Sequence, residues 1–186
     1  MLMIKTFKVL FFIIVIITCI ILGLWQIDRA NEKAYLYHAF NERISKNPIQ
    51  FEVIKSNPVD FTKIIITGTY ISNKQFLLDN KIFNKKAGYE VISPMLFDDQ
   101  IVLINRGWVS NNNRQSLPNI DIRNVDSQAT GYIYKYKDFY QLSEDFYKND
   151  WPLIIQNIEI DKIKQMFKYK VFPYVLIMSE DQENSY

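Results

Sequence analysis

One cysteine and one histidine, Cys19 and His38, are all that the 186 residues contain of either type, and that scarcity removes whole classes of chemistry. A disulfide needs two thiols and a Cys/His zinc centre about four ligands, so neither can be built from this chain alone. A Ser-His-Asp hydrolase would need a buried imidazole, whereas His38 falls in a polar, helix-forming stretch close to an apolar run. Glycine is sparse as well, five in all, and none sits in a phosphate-cradling loop. Charge of one sign is also missing. Lys plus Arg number 22 against 20 Asp plus Glu, and Lys5 and Lys8 supply that whole excess, so everything beyond them is balanced. A balanced surface has no electrostatic footprint for nucleic acid, and none is expected as a partner. No nucleophile, base and oxyanion donors converge in the pattern, so the chain reads as a non-enzyme.

What is present begins with Val9 to Trp25, VLFFIIVIITCIILGLW, a run without a charge or a proline. Extended to Ile27 and wound as a helix it is about 29 Å long at ~1.5 Å per residue, the thickness of a bilayer's hydrocarbon core. A cleaved signal peptide would have a shorter apolar region ending in small residues, and here Trp25, Gln26, Ile27, Asp28 and Arg29 follow instead. The segment therefore reads as an uncleaved anchor in a lipid bilayer. Lys5 and Lys8 precede it with no acid among them, which keeps the N-terminus cytoplasmic and places the remainder outside. A bacterial inner membrane with a periplasmic domain is the simplest location, and the mitochondrial inner membrane is the alternative. Three parts result: tail and membrane helix over 1–27, a juxtamembrane helix over 28–47 that Pro48 ends, and one exported domain over 48–186.

In that domain the pattern changes to short β-type runs: Phe61 to Thr69, Phe76 to Asp79, Tyr89 to Ser93, Ile101 to Asn105, Thr130 to Tyr136, Trp151 to Gln156 and Phe172 to Met178. The predicted fold class is mainly β (α+β), an antiparallel β-sheet or barrel-like domain with a short packing helix. Asp98 and Asp99 mark a tight turn, and the continuous apolar run Val102 to Ile104 marks a central strand covered on both faces. Asp161 is the expected cap of the helix, whose apolar face carries Ile163, Met166 and Phe167. Ser110 to Gln128 is polar and aperiodic, and is expected to be a long exposed loop.

The stretch Gly88 to Val109, GYEVISPMLFDDQIVLINRGWV, resembles the surfeit locus protein 1 family of cytochrome c oxidase assembly factors in its Gly-Tyr entry, its Pro94, its acidic turn and its closing Asn-Arg-Gly-Trp-Val. Leu22 to Arg29 is similar to that family's junction between span and domain, Gly68 to Tyr70 to an early strand, Trp151 to Gln156 to its Trp-Pro strand, and Pro173 to a proline before the last strand. The resemblance implies a membrane-anchored factor that binds the immature catalytic subunit of a haem-copper oxidase and assists haem a insertion. Members usually close with a second membrane helix bearing a His near its outer end, whereas Met178 here runs into SEDQENSY. The leading haem ligand candidate is thus missing, no cofactor is expected to be intrinsic, and a haem a carrier or a truncated inactive member are the rival readings.

Several residues carry the site argument. Arg106, just after a core strand, is a candidate partner for a carboxylate or haem propionate, and Trp108 a candidate interface anchor, against internal pairing and core filling. Tyr132, Tyr134 and Tyr136 share one face of a strand and could dock a partner or a porphyrin, or pack the sheet. Gly68, Gly88 and Gly107 read as structural, at close approaches or bends. His38 is the one imidazole that could reach a haem iron from the juxtamembrane helix, and a solvated histidine is the simpler reading.

Overall fold

A computed structural model describes residues 2–111, 116–136 and 151–186. Helix α1 runs without a break from Leu2 to Ile44. It is long and apolar enough to cross a membrane. The helix stops short of Pro48, consistent with the bias that proline places on the residue before it. After Arg43 the chain divides into two compact units, and the second, Ile44–Tyr186, holds the whole β structure.

Its elements in order are β1 (Ile49–Gln50), α2 (Phe51–Ile54), β2 (Lys63–Tyr70), β3 (Phe76–Phe83), β4 (Lys86–Phe97), β5 (Gln100–Ser110), β6 (Asp126–Tyr134), β7 (Leu153–Ile155), α3 (Ile160–Lys164) and β8 (Lys170–Met178). The strands form one sheet in the order β1-β2-β6-β8-β5-β4-β3-β7, and β2 also pairs with β4. That extra pairing, Thr69 with Leu96 and Tyr70 with Met95, closes β2, β6, β8, β5 and β4 into a five-stranded barrel. Gly68 sits where the ring closes: a Cβ there would lie 2.4 Å from the Leu96 carbonyl oxygen, so any side chain would hold β2 off β4.

The expectation of an antiparallel sheet is corrected, because β1 with β2, β3 with β7 and β5 with β8 are parallel. Strand-forming composition carries no direction. A parallel partner requires a long crossover, and the stretch between β5 and β8, which contains β6, β7 and α3, supplies one.

Alternation along β5 builds two cores. Val102 and Ile104 point into the barrel with Ile64, Ile66, Ile133 and Leu176, and Phe51 of α2 packs edge-on against Phe172 at 5.0 Å in the same cluster. Ile101 and Leu103 point the other way, onto Phe76, Ile92, Ile155 and Ile163. The run from Ile101 to Ile104 has no exposed surface, as its unbroken apolar pattern requires. Each such side chain contributes about 1.5–3 kcal/mol on burial, so β5 ties the two cores together.

Two local expectations change. Helix α3 starts at Ile160 with Glu159 as its cap residue, so Asp161 lies in the first turn and accepts a hydrogen bond from Lys164 Nζ at 2.8 Å. The acid one residue inside still complements the helix dipole, which is why the sequence points to it. The stretch Ser110 to Gln128 is not simply exposed. Residues 112–115 lie outside those described, Ser110 ends β5, Asp126 begins β6, and Ile120 is buried against Leu77, Tyr89 and Val91.

Candidate functional site

The end of β5 spells Asn105-Arg106-Gly107-Trp108, and these four residues organise one end of the domain. Arg106 is 2% exposed, and every nitrogen of its guanidinium is engaged. Nε donates to the Asn184 carbonyl at 2.7 Å. Nη1 donates to Gln75 Oε1 at 2.9 Å, the Ile120 carbonyl at 3.0 Å and Ser93 Oγ at 3.3 Å, and Nη2 to the Asp121 carbonyl at 3.1 Å. The Tyr186 ring lies 4.8 Å from the guanidinium carbon. All five acceptors are neutral. Burial lowers the guanidinium pKa from its ordinary value, while electrostatic attraction from Tyr186, Tyr70 and Asp121 opposes that shift. Backbone dipoles thus do for this cation what water would do outside. Beside it opens a cleft of about 310 Å³ whose wall includes Asp121, Arg123 and Tyr186.

Gly107 lets the chain turn away after the arginine. Its φ of +112° is a conformation that side chains rarely adopt, and a Cβ there would meet the Tyr186 carbonyl oxygen at 2.4 Å. Arg106 and Tyr186 are tied along the backbone as well, because Tyr186 N donates to the Arg106 carbonyl at 2.7 Å. The half-buried Trp108 lies across Gly88, where a Cβ would come within 2.4 Å of Cε2. Its indole N–H donates to the Lys81 carbonyl at 3.2 Å, and its ring is 5.5 Å from that of Phe83.

Asn105 opens a second polar cluster. Its Nδ2 donates to Glu90 Oε2 at 3.0 Å and to the Tyr136 hydroxyl at 3.3 Å, while its Oδ1 accepts from Gly107 N at 3.0 Å. The Tyr136 hydroxyl donates in turn to Glu90 Oε2 at 3.2 Å, and Lys81 Nζ lies 3.5 Å from the same oxygen. Burial first, and then the Glu90 charge, push the Tyr136 phenol well above its ordinary range, and the same two causes raise Tyr132 less far. The Tyr136 phenol thus acts as a donor to Glu90.

Tyr132 and Tyr134 stand on the outer face of β6, since Ile133 between them points into the barrel. Phe61 stacks on Tyr134 at 5.5 Å with the rings 19° apart, and Tyr134 meets Tyr136 edge-on at 5.5 Å. The structure thus brings Arg106, Gly107 and Trp108 to one strand end with Gly88 beneath the indole, links Tyr136 to them through Asn105, and continues into the aromatic row. His38 belongs to the other unit, on α1, with its ring 6.0 Å from that of Tyr37. Reading the sequence alone missed Glu90 and Asn105 as a pair. The available signal was an acid placed in the otherwise apolar run Tyr89 to Ile92.

A helix long enough to span a bilayer, joined to a mixed-sheet barrel with an arginine-centred strand end, defines a helix-bearing β-domain protein of the kind the motif string suggests. The chain belongs to the SURF1 family, whose model matches residues 13–186. Among its relatives, a SURF1-like protein of Rickettsia bellii is 31% identical over 121 residues, which cover 63% of this chain and 46% of that protein. A SURF1-like protein of Dictyostelium discoideum is 34% identical over 116 residues, 56% of this chain and 42% of that one. The cytochrome oxidase assembly protein SHY1 of Saccharomyces cerevisiae is 31% identical over 95 residues, 48% and 24% of the two chains. The chain spans about half the length of the rickettsial relatives it matches.

Proposed function

We propose that this protein is a membrane-anchored assembly factor for haem-copper cytochrome c oxidase, which holds the immature catalytic subunit and assists haem a insertion into it. The observation that carries the reading is membership of the SURF1 family over residues 13–186, and the name of the yeast relative supports it. The mechanism is differential binding: an incompletely built partner is held, and is released when its mature state competes better. No bond is made or broken by this chain. Haem a belongs to the partner in this scheme, because the unit Ile44–Tyr186 offers neither His nor Cys, and each nitrogen of Arg106 is already committed to a protein oxygen rather than offered to a propionate. Helix α1 anchors the domain on the periplasmic side of a bacterial inner membrane.

The test is complementation of a strain that lacks its own SURF1-family factor, scored for oxidase activity and for co-purification of the catalytic subunit. Restored activity with the subunit bound is expected, and a chain that is present and folded but restores nothing would overturn the reading. A porphyrin absorbance band co-purifying with the chain would make it a haem carrier instead. Orientation has its own check, because a reporter active only in the periplasm should work when fused after Tyr186.

A further inference from the structure

We propose that the tip of the β3–β4 hairpin seats on the anionic headgroup surface of a lipid bilayer, through Ile82, Phe83 and the Trp108 ring, flanked by Lys85 and Lys86. This rests on the reading of α1 as a membrane anchor and is independent of the oxidase partner. Ile82 is 77% exposed and Phe83 57%. As the last two residues of β3 they project to opposite faces of the hairpin tip, at the start of a two-residue turn in which Asn84 and Lys85 both have positive φ, at 49° and 62°. Such a turn matches the twist of its strands and presents the tip rigidly. Trp108, half-buried at the base of the hairpin, has its N–H satisfied by the Lys81 carbonyl and its ring 5.5 Å from that of Phe83.

The charge around this tip chooses its partner. Lys85 on the turn and Lys86 at the start of β4 are both exposed, whereas Lys81 Nζ is held 3.5 Å from Glu90 Oε2. Protein interfaces are depleted in lysine at their centres. An apolar tip with a Trp at its base and lysines whose ammonium groups can reach phosphates is instead the composition of the bilayer boundary. Two apolar residues bind lipid weakly by themselves. A domain tethered to the bilayer by its own helix meets that surface at high effective concentration, so weak contact suffices.

The experiment uses the full chain in vesicles of phosphatidylcholine with or without phosphatidylglycerol, both carrying nitroxide-labelled lipid. An environment-sensitive fluorophore is placed either on the native Cys19 or on Ile82→Cys in a Cys19→Ala background. Quenching at Cys19 in both lipids verifies the anchor, and its absence overturns the anchor reading itself. Quenching at position 82 is expected in the anionic vesicles. The equilibrium for that contact should weaken about fivefold for each of Lys85→Gln and Lys86→Gln, with the melting temperature unchanged. A quenched Cys19 probe with an unquenched probe at 82 in both lipids overturns the proposal. A blue shift at 82 that appears only after the oxidase catalytic subunit is added overturns it in favour of a protein partner.

Discussion

Replacing Arg106 with Ala tests the strand end most directly, because the structure makes the cost calculable. The substitution withdraws the donors that reach the Asn184, Ile120 and Asp121 carbonyls and one of two that reach Gln75 Oε1, which keeps Ser93 Oγ at 2.7 Å. A buried acceptor left without a donor costs about 1–3 kcal/mol. Three carbonyls set an upper range of roughly 3–9 kcal/mol on that scale, and water entering from the adjoining cleft to satisfy some of them brings it to the lower part, about 3–5 kcal/mol. In a domain of this size that corresponds to a fall in melting temperature on the order of 10 °C. Near-UV circular dichroism of the full chain in detergent is the suitable assay, because Trp151, 5.3 Å from the Phe76 ring in the core outside the barrel, reports tertiary packing that the helical signal of α1 would mask in the far ultraviolet. Arg106→Lys should fall between parent and Ala, since one ammonium with three donors cannot serve acceptors spread around a planar fork. Oxidase assembly should fall in step with stability. An Arg106→Ala protein melting within about 2 °C of the parent, hence less than ~1 kcal/mol away, yet unable to bind the oxidase subunit, would refute the structural account and make Arg106 a recognition residue.

Gly107→Val should cost about 1–3 kcal/mol from its backbone conformation alone, and the Cβ clash with Tyr186 should loosen the chain after Met178. Limited proteolysis there checks it, and an unchanged cleavage pattern counts against the bend. Gly68→Ala should open the barrel seam, read as lost hydrogen-exchange protection across the Thr69–Leu96 and Tyr70–Met95 pairs while the β5–β8 pairs keep theirs. Tyr70, 2% exposed, has its phenol pushed up from 10.0 to about 12 by burial, with Arg106 opposing the shift. The neutral phenol therefore stabilises the fold fully below pH 10, and that stability is lost as pH rises from 10 to about 12, because the unfolded chain ionises first. Relative to Tyr70→Phe the parent should lose about 2–3 kcal/mol over that window, as denaturant titrations at successive pH values would show, and parallel pH profiles would contradict it.

How far the sequence could be read follows from which interactions are local. Strands with β-branched alternation, the Asp98-Asp99 turn and the two-sided burial of Val102 to Ile104 are written in neighbouring residues and are found, although β2 starts at Lys63 rather than Phe61 and β6 ends at Tyr134 rather than Tyr136. Strand direction is not local, so the parallel β5–β8 pair was illegible. Leu117, Ile120, Ile122 and Val125 are unevenly spaced in a polar stretch and define no period, which hid the burial of Ile120. The argument that Arg106 needs an anion assumed a surface. In the fold it meets carbonyls from residues 120, 121 and 184, and no pattern in the chain joins position 106 to position 184.

The same geometry separates what marks the family from what a partner would touch. Asn105, Arg106 and Gly107 bind inward, to Glu90, Gln75, Asn184 and Tyr186, so a substitution there is expected to act through the stability of the domain. Tyr132 and Tyr134 are half-buried on the outer face of β6, and Phe61 beside them holds a φ of 63°, unusual for a bulky side chain and a form of strain that persists only where the surroundings enforce it. A ring held in that way keeps its neighbours fixed, and fixed aromatic faces bind with little loss of side-chain entropy. Loss of assembly with stability retained is therefore the expected signature of the Phe61–Tyr132–Tyr134 row, and loss of both together that of the Asn105–Gly107 end of β5.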